Sequence, residues 1–207
     1  MSGPYRSRKY RTRDTLKHLV IFCEGERTEV IYFNHYRRRG LGVILEVRSD
    51  RKNDPVGLVG CALKRIADPK DPLDISDGDV VWCVFDADTH KQEKIEKAME
   101  LADGRARIAL SVPCFELWFL LHFIFPTVRM TSEEAVETLR GSIPEYRKDL
   151  DVFDRLEPKR DEAIKNATRL AKGKDPRRPC VNDNPYTSVH ILVLDILEVL
   201  RKNKRWN

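Results

Sequence analysis

Residues 80–90 read VVWCVFDADTH. Six apolar residues run without a break, and two aspartates then stand one residue apart. A short continuous apolar run fits a strand buried on both faces, as in a parallel sheet. With the preceding residue it predicts a strand over 79–85. The same texture recurs on either side. KHLVIFC at 17–23, GVILEVR at 42–48 and RARIALS at 105–111 read as further strands. Between them lie helical patterns at 25–40, 55–68 and 90–103. The second places Val56, Val59, Leu63 and Ile66 on one face. The order βαβαβαβ predicts a parallel sheet with right-handed crossovers.

The pattern changes at Cys114. FELWFLLHFIF, 115–125, is apolar nearly all round and reads as a buried helix. Polar helical segments follow Pro126, with helices expected at 131–140, 158–171 and 186–202. The last puts Val189, Leu192, Val193, Ile196 and Leu200 on one stripe. DPRRPCVNDNP, 175–185, carries three prolines and reads as a loop. The expected organisation is a basic arm over 1–16, an α/β core over 17–125 and a helical extension over 126–207 packed on that core.

Bulk composition narrows the class. The chain has 207 residues, 41% of them hydrophobic, which is enough for one α/β core with an extension. A net charge of +5 suits an acidic partner such as nucleic acid, though many enzymes share it. Arg6, Arg8, Lys9, Arg11 and Arg13 precede the first acid, and Arg201, Lys202, Lys204 and Arg205 crowd the other end. Both segments read as phosphate-contacting tails or as solvated termini. The five cysteines form no CxxC pair, so no zinc site is readable. No signal peptide and no apolar run of bilayer length is found, so a cytoplasmic location is expected.

The acids gather where such sheets bind ligands, outside the carboxyl ends of the strands. The strand at 17–23 exits into Glu24-Gly25-Glu26. The strand at 79–85 exits into Asp86-Ala87-Asp88. The strand at 105–111 leads through Pro113 and Cys114 to Glu116. If the strands are neighbours, Glu24, Asp86 and Asp88 meet at one edge with Glu116 beside them. Residues two apart on an extended chain face the same side, so both aspartates can address one ligand. Carboxylates crowded this way repel, and a divalent cation removes the conflict. Mg²⁺ takes oxygen ligands and keeps several waters, which suits phosphoryl chemistry.

Other readings compete residue by residue. Asp86 and Asp88 alternatively cap the next helix, but two acid clusters at two strand exits favour the metal. Glu24 alternatively compensates a helix N-terminus, and Glu26 and Glu29 read equally as first-turn helix acids. Glu116, between Phe115 and Leu117, must pair, bind metal or accept helix amides. His122 reads as a hydrogen-bonded core histidine; His90, two residues after Asp88, is within reach of the site but reads first as a helix-start residue.

Together CEGERTEVIYF, VVWCVFDADTH and SVPCFELWFLLHF resemble the RloB-like family, as do Tyr146-Arg-Lys148 and NPYTSVH at 184–190. The likeness runs from about residue 17 to about 195. It implies a Toprim-like, Rossmann-like parallel sheet core flanked by helices. In that pattern Glu24 is the glutamate after the first strand, and Asp86 and Asp88 are the metal-binding aspartates. It also implies restriction-linked or anti-phage defence, with abortive infection as the outcome and an ATPase partner encoded nearby. The chain has no Walker motif, so ATP hydrolysis would fall to that partner. Tyr32 and Tyr36 read as helix-face residues, which argues against a covalent topoisomerase.

The combined expectation is a Mg²⁺- or Mn²⁺-dependent nuclease acting on RNA or DNA. Glu24, Asp86 and Asp88 hold the metal or activate water. Glu29 and Glu116 complete a second metal site. Lys148, Arg51 and Lys52 contact the nucleic acid. The alternative is a non-catalytic subunit of the same shape that binds nucleic acid or a partner. The polymer, the trigger and the oligomeric state, homo-oligomer included, stay open at this stage.

Overall fold

The computed structural model describes residues 17–37, 43–49, 54–88, 90–175 and 180–204, with side chains through 201. The four expected strands are present as β1 (Lys17–Cys23), β2 (Val43–Ser49), β3 (Val80–Asp86) and β4 (Arg107–Val112). Between them lie α1 (Thr28–Asn34), α2 (Pro55–Ile66) and α3 (Gln92–Ala102). A fifth strand, β5 (Tyr186–Thr187), completes a sheet of order β2-β1-β3-β4-β5. The first four strands are parallel, and β5 runs antiparallel to β4.

Alternation along β1 shows why the sheet is buried on both faces. Leu19, Ile21 and Cys23 share a core with Trp82, Val84 and Ala109. Val20 and Phe22 share the opposite core with Val81, Cys83, Phe85 and Leu110. Tyr32 and Phe33 of α1 pack on the first face, while Leu58, Val59 and Ala62 of α2 and Ile95 and Ala98 of α3 pack on the second. The sheet is therefore doubly wound. Its strand order reverses between β1 and β3, and the carboxyl ends of those strands flank the crevice where such folds bind ligands.

The segment after β4 holds α4 (Glu116–Leu120), α5 (Ser132–Ser142), α6 (Phe153–Leu156), a 3₁₀ turn (Glu157–Lys159), α7 (Arg160–Leu170) and α8 (Val189–Lys204). Helix α5 starts with a reciprocal cap between Thr131 and Glu134. Val189, Leu192, Val193 and Ile196 of α8 join the first core. Asp195 fastens α8 to the sheet, accepting from Trp82 Nε1 at 3.2 Å and pairing with Arg107. Among the described residues, no helix is long and apolar enough to cross a membrane.

Three expectations need correction. The first helix begins at Thr28, not directly after β1, so Glu24 to Arg27 form a bend at the sheet edge. The apolar stretch at 115–125 is helical only to Leu120. Its last turn tightens, with the His122 and Phe123 amides bonding the Phe119 and Leu120 carbonyls, and Asn166 takes the Leu121 carbonyl. Residues 186–187 pair with Ser111 and Val112 instead of opening the final helix. Ser188 Oγ accepts from Leu110 N, and Thr187 Oγ1 accepts from Val189 N, so both hydroxyls satisfy donors at the strand-to-helix junction.

His122 is the core histidine that the sequence suggests. Its Nδ1 donates to the carbonyls of Trp118 (2.9 Å) and Phe119 (3.2 Å). Burial holds its pKa down to about 4. In the unfolded chain the ring protonates near pH ~6.5. Between these values the unfolded chain binds the extra proton, so stability rises with pH across that window. It is full above the window and is lost as pH falls toward 4. Urea unfolding from pH 7 to pH 4 is expected to cost wild type on the order of 2 kcal/mol more than His122→Gln. Equal losses would show that the ring is not what senses the acid.

Candidate metal centre

The bend after β1 and the exit of β3 are joined by the backbone itself. Glu24 N donates to the Val84 carbonyl at 2.9 Å, continuing the β1–β3 ladder by one residue. Glu24 Oε2 accepts from Asp86 N at 3.1 Å. Its other oxygen, Oε1, lies 2.6 Å from His90 Nε2. His90 stands directly before the N-cap of α3, as the helix-start reading has it, and it also reaches Glu24. The signal was its place two residues past Asp88.

A pocket of about 390 Å³ opens at this edge. Glu24, Glu29, Asp86, Asp88, Glu116 and Lys148 all line it, with Gly25 and Arg27. Every site residue inferred from sequence and present among the described residues therefore converges here. Arg51 and Lys52 lie outside the described residues, as do Thr89 and the 1–16 arm.

Each acid is held differently. Asp88 Oδ2 accepts from Ser132 Oγ of α5 at 2.7 Å. Glu116 opens α4, is 1% exposed, and accepts from Tyr146 OH at 3.0 Å. Lys148 Nζ stands 4.0 Å from the same Glu116 oxygen. Thr28 Oγ1 donates to the Lys148 carbonyl at 2.8 Å and so ties that distant segment to the start of α1. Gly25 lies against the Glu29 carboxylate: a Cβ there would sit 2.1 Å from Glu29 Oε2. Only a residue without a side chain lets Glu29 occupy that place.

Asp86 keeps some exposed surface as a residue, yet its Oδ1 is sealed from solvent and has no hydrogen-bond partner. Burial pushes its pKa well up, and the charges of Glu29, Glu116 and Asp88 add to the push. A backbone bond from Phe115 opposes it without winning. Glu29 is also driven above the usual carboxylate range, first by burial and then by Glu116 and Glu24, against its own backbone amide and Lys148. Lys148 is held in its charged form chiefly by Glu116. The pocket is a set of oxygen donors whose negative charges are not balanced by the groups around them. An orphaned carboxylate oxygen and an all-oxygen donor set fit a hard divalent ion such as Mg²⁺ or Mn²⁺.

Elsewhere, His18, Glu46 and Asp71 bring donor atoms within 4.8 Å of one another. That trio is an ion-pair cluster. The Arg65 guanidinium already bonds Glu46 at 2.9 Å and Asp71 at 2.8 Å. Burial would raise the Glu46 pKa, but Arg65 and Arg48 outweigh it and hold it at about 2. A second cation there would meet a fixed positive charge. Among the described residues, the acids of the pocket form no trio that tight.

Tyr32 and Tyr36 are buried, with their hydroxyls 3.1 Å apart, and burial raises both pKa values. Neither lines the pocket. Glu116 depends on Tyr146, whose role was hidden in the Tyr146-Arg-Lys148 signature. Ser132 had no sequence signal at all.

No curated protein matches the chain, and no solved structure does. A family model described as RloB-like protein matches residues 19–196. That span contains all the described pocket residues and the whole sheet except the first two residues of β1, so the chain belongs to the RloB-like protein family.

Proposed function

We propose that this pocket binds Mg²⁺ or Mn²⁺ and hydrolyses phosphodiester bonds of nucleic acid. The observation that carries the reading is Asp86 Oδ1, buried and unpartnered among Glu24, Glu29, Asp88 and Glu116 at the β1/β3 switch point. Its position at the end of β3, with Glu24 after β1, is that of the acids in a Toprim-like core.

Asp86 and Asp88 would hold the ion, and Glu29 with Glu116 would supply further oxygen ligands. No three pocket acids among the described residues bring donors within 4.8 Å of one another, so a bound ion would keep part of its water shell. When bound, the ion would supply a more acidic water and charge neutralisation at the leaving oxygen. Glu24 would serve as the base. His90 at 2.6 Å and the Asp86 amide at 3.1 Å fix its two oxygens. Lys148, anchored through its carbonyl and held charged beside Glu116, offers a cation to the scissile phosphate. The family resemblance extends the proposal: the chain is the effector subunit of an anti-phage defence system and works with an ATPase partner.

The test is cleavage of labelled tRNA, single-stranded RNA and DNA in Mg²⁺, Mn²⁺ or EDTA, with the Asp86→Ala/Asp88→Ala variant alongside. Metal-dependent cutting by wild type and none by the variant is the expected result. Cutting that survives the double substitution sinks the assignment. Strand binding without cutting, alone and with the ATPase, supports a non-catalytic binding subunit instead.

A further inference from the structure

Charge creates a problem for this pocket as a nuclease site. Its wall carries Glu24, Glu26, Glu29, Asp86, Asp88 and Glu116 against Arg27 and Lys148. A polyanion approaching that mouth is repelled unless positive charge beside it makes a path.

A second cavity, of about 620 Å³, lies next to the first. Val56, His90, Lys91, Glu93, Lys94 and Lys97 line it. His90 stands between the two, since it lines the second cavity and its Nε2 lies 2.6 Å from Oε1 of Glu24, which lines the first. Three-residue spacing puts Lys94 and Lys97 on one flank of α3, and Lys91 is the N-cap residue that opens the helix beside them. All three are exposed. Lys94 has a long pair to Asp54 at 3.9 Å, and among the described residues Lys91 and Lys97 have no ion-pair partner. Buried Ile95 and Ala98 seat the helix on the core, so the row is presented on a fixed element. Glu93 is the acid that the three lysines outnumber.

We infer that this groove is the track on which the phosphodiester backbone of the substrate strand lies as it reaches the pocket. Lys91, Lys94 and Lys97 contact successive phosphates on the Glu24–His90 side, and Lys148 receives the strand on the Glu116 side. This rests on the nucleic-acid reading of the pocket, but it makes a claim about binding that holds without chemistry.

The experiment is therefore a binding titration in EDTA, where no cutting occurs. Short fluorescein-labelled single-stranded RNA, single-stranded DNA and duplex DNA are followed by anisotropy across a salt series. Wild type is compared with Lys91→Gln/Lys94→Gln/Lys97→Gln. A control, Lys64→Gln/Lys70→Gln/Lys165→Gln, removes the same charge from exposed positions elsewhere. The groove variant is expected to bind about tenfold or more weakly, with a log–log salt slope smaller by about 2, as for three lost phosphate contacts on a single strand. The control is expected to follow wild type. The arm that responds names the polymer. Unchanged binding by the groove variant, equal weakening in the control, or no binding by wild type would each overturn the track. Cleavage in Mg²⁺ is scored separately: a nuclease whose groove variant binds normally loses only the track, and a strand binder that never cuts loses only the chemistry.

Discussion

Asp86→Asn is expected to melt at a higher temperature than wild type in EDTA, and to lose cleavage. The side chain is a carboxylate with a sealed, unpartnered oxygen, surrounded by Glu29, Glu116 and Asp88. Its burial and these like charges disfavour the ionised form, and a neutral amide of the same shape removes both penalties. For a chain of this size each 1 kcal/mol of relief raises Tm by about 2–4 °C. With saturating Mg²⁺ or Mn²⁺ the order should reverse. Wild type would gain ~2.7 kcal/mol at a metal concentration 100 times its Kd, and the variant, lacking its central ligand, little. Cleavage should fall by about 10³-fold or more, the scale on which preorganised electrostatic groups act. Differential scanning fluorimetry with and without metal reads the crossover. A variant that melts lower in both conditions would make Asp86 a structural anchor.

Trp118→Ala is expected to produce the largest loss of stability. Trp118 is 0% exposed in the middle of α4. It meets Tyr32 edge-on at 6.5 Å and His122 at 4.8 Å. Phe33, Phe115, Phe119 and Tyr146 belong to the same core. Truncation there costs about 3–5 kcal/mol. The corresponding Tm loss is roughly 6–20 °C. Trp118→Phe, which keeps an aromatic body, should cost under about 1.5 kcal/mol. Urea unfolding measures both. Near-equal costs would mean that the neighbouring rings collapse into the space. Two residues away on the same short helix stands Glu116, so loosening α4 should also reduce activity below the unfolding temperature.

The strands were legible because each is a local object. VVWCVF needs no partner to declare itself buried on both faces, and the parallel order follows from the helices between strands. Helix ends were less legible. Glu24 to Arg27 have helical composition but stay bent, because Glu24 continues the ladder on Val84 instead of entering α1. Tyr186 and Thr187 carry too little pattern to announce a two-residue strand, and only the open edge of β4 makes them one.

Among the site residues, the acids were readable from their place at strand exits. Of their partners, only His90, two residues past Asp88, carried a signal. His90 reached Glu24, Ser132 reached Asp88 and Tyr146 reached Glu116 across 66, 44 and 30 residues of chain. No periodicity encodes such pairs, since each depends on where a later segment docks.

By itself, then, the sequence determined the element order and placed Glu24 and Asp86 at the exits of two strands. That those strands are neighbours, with a crevice at their carboxyl ends, came from the tertiary structure. Tertiary structure alone decided which further acids share the pocket and which of their oxygens are sealed. It also set Lys91, Lys94 and Lys97 along a groove walled by His90. The physical reason is range. Strand burial and the order of elements along the chain are written in neighbouring residues. Desolvation and charge repulsion act through space, between groups such as Thr28 and Lys148 that the chain separates by 120 positions.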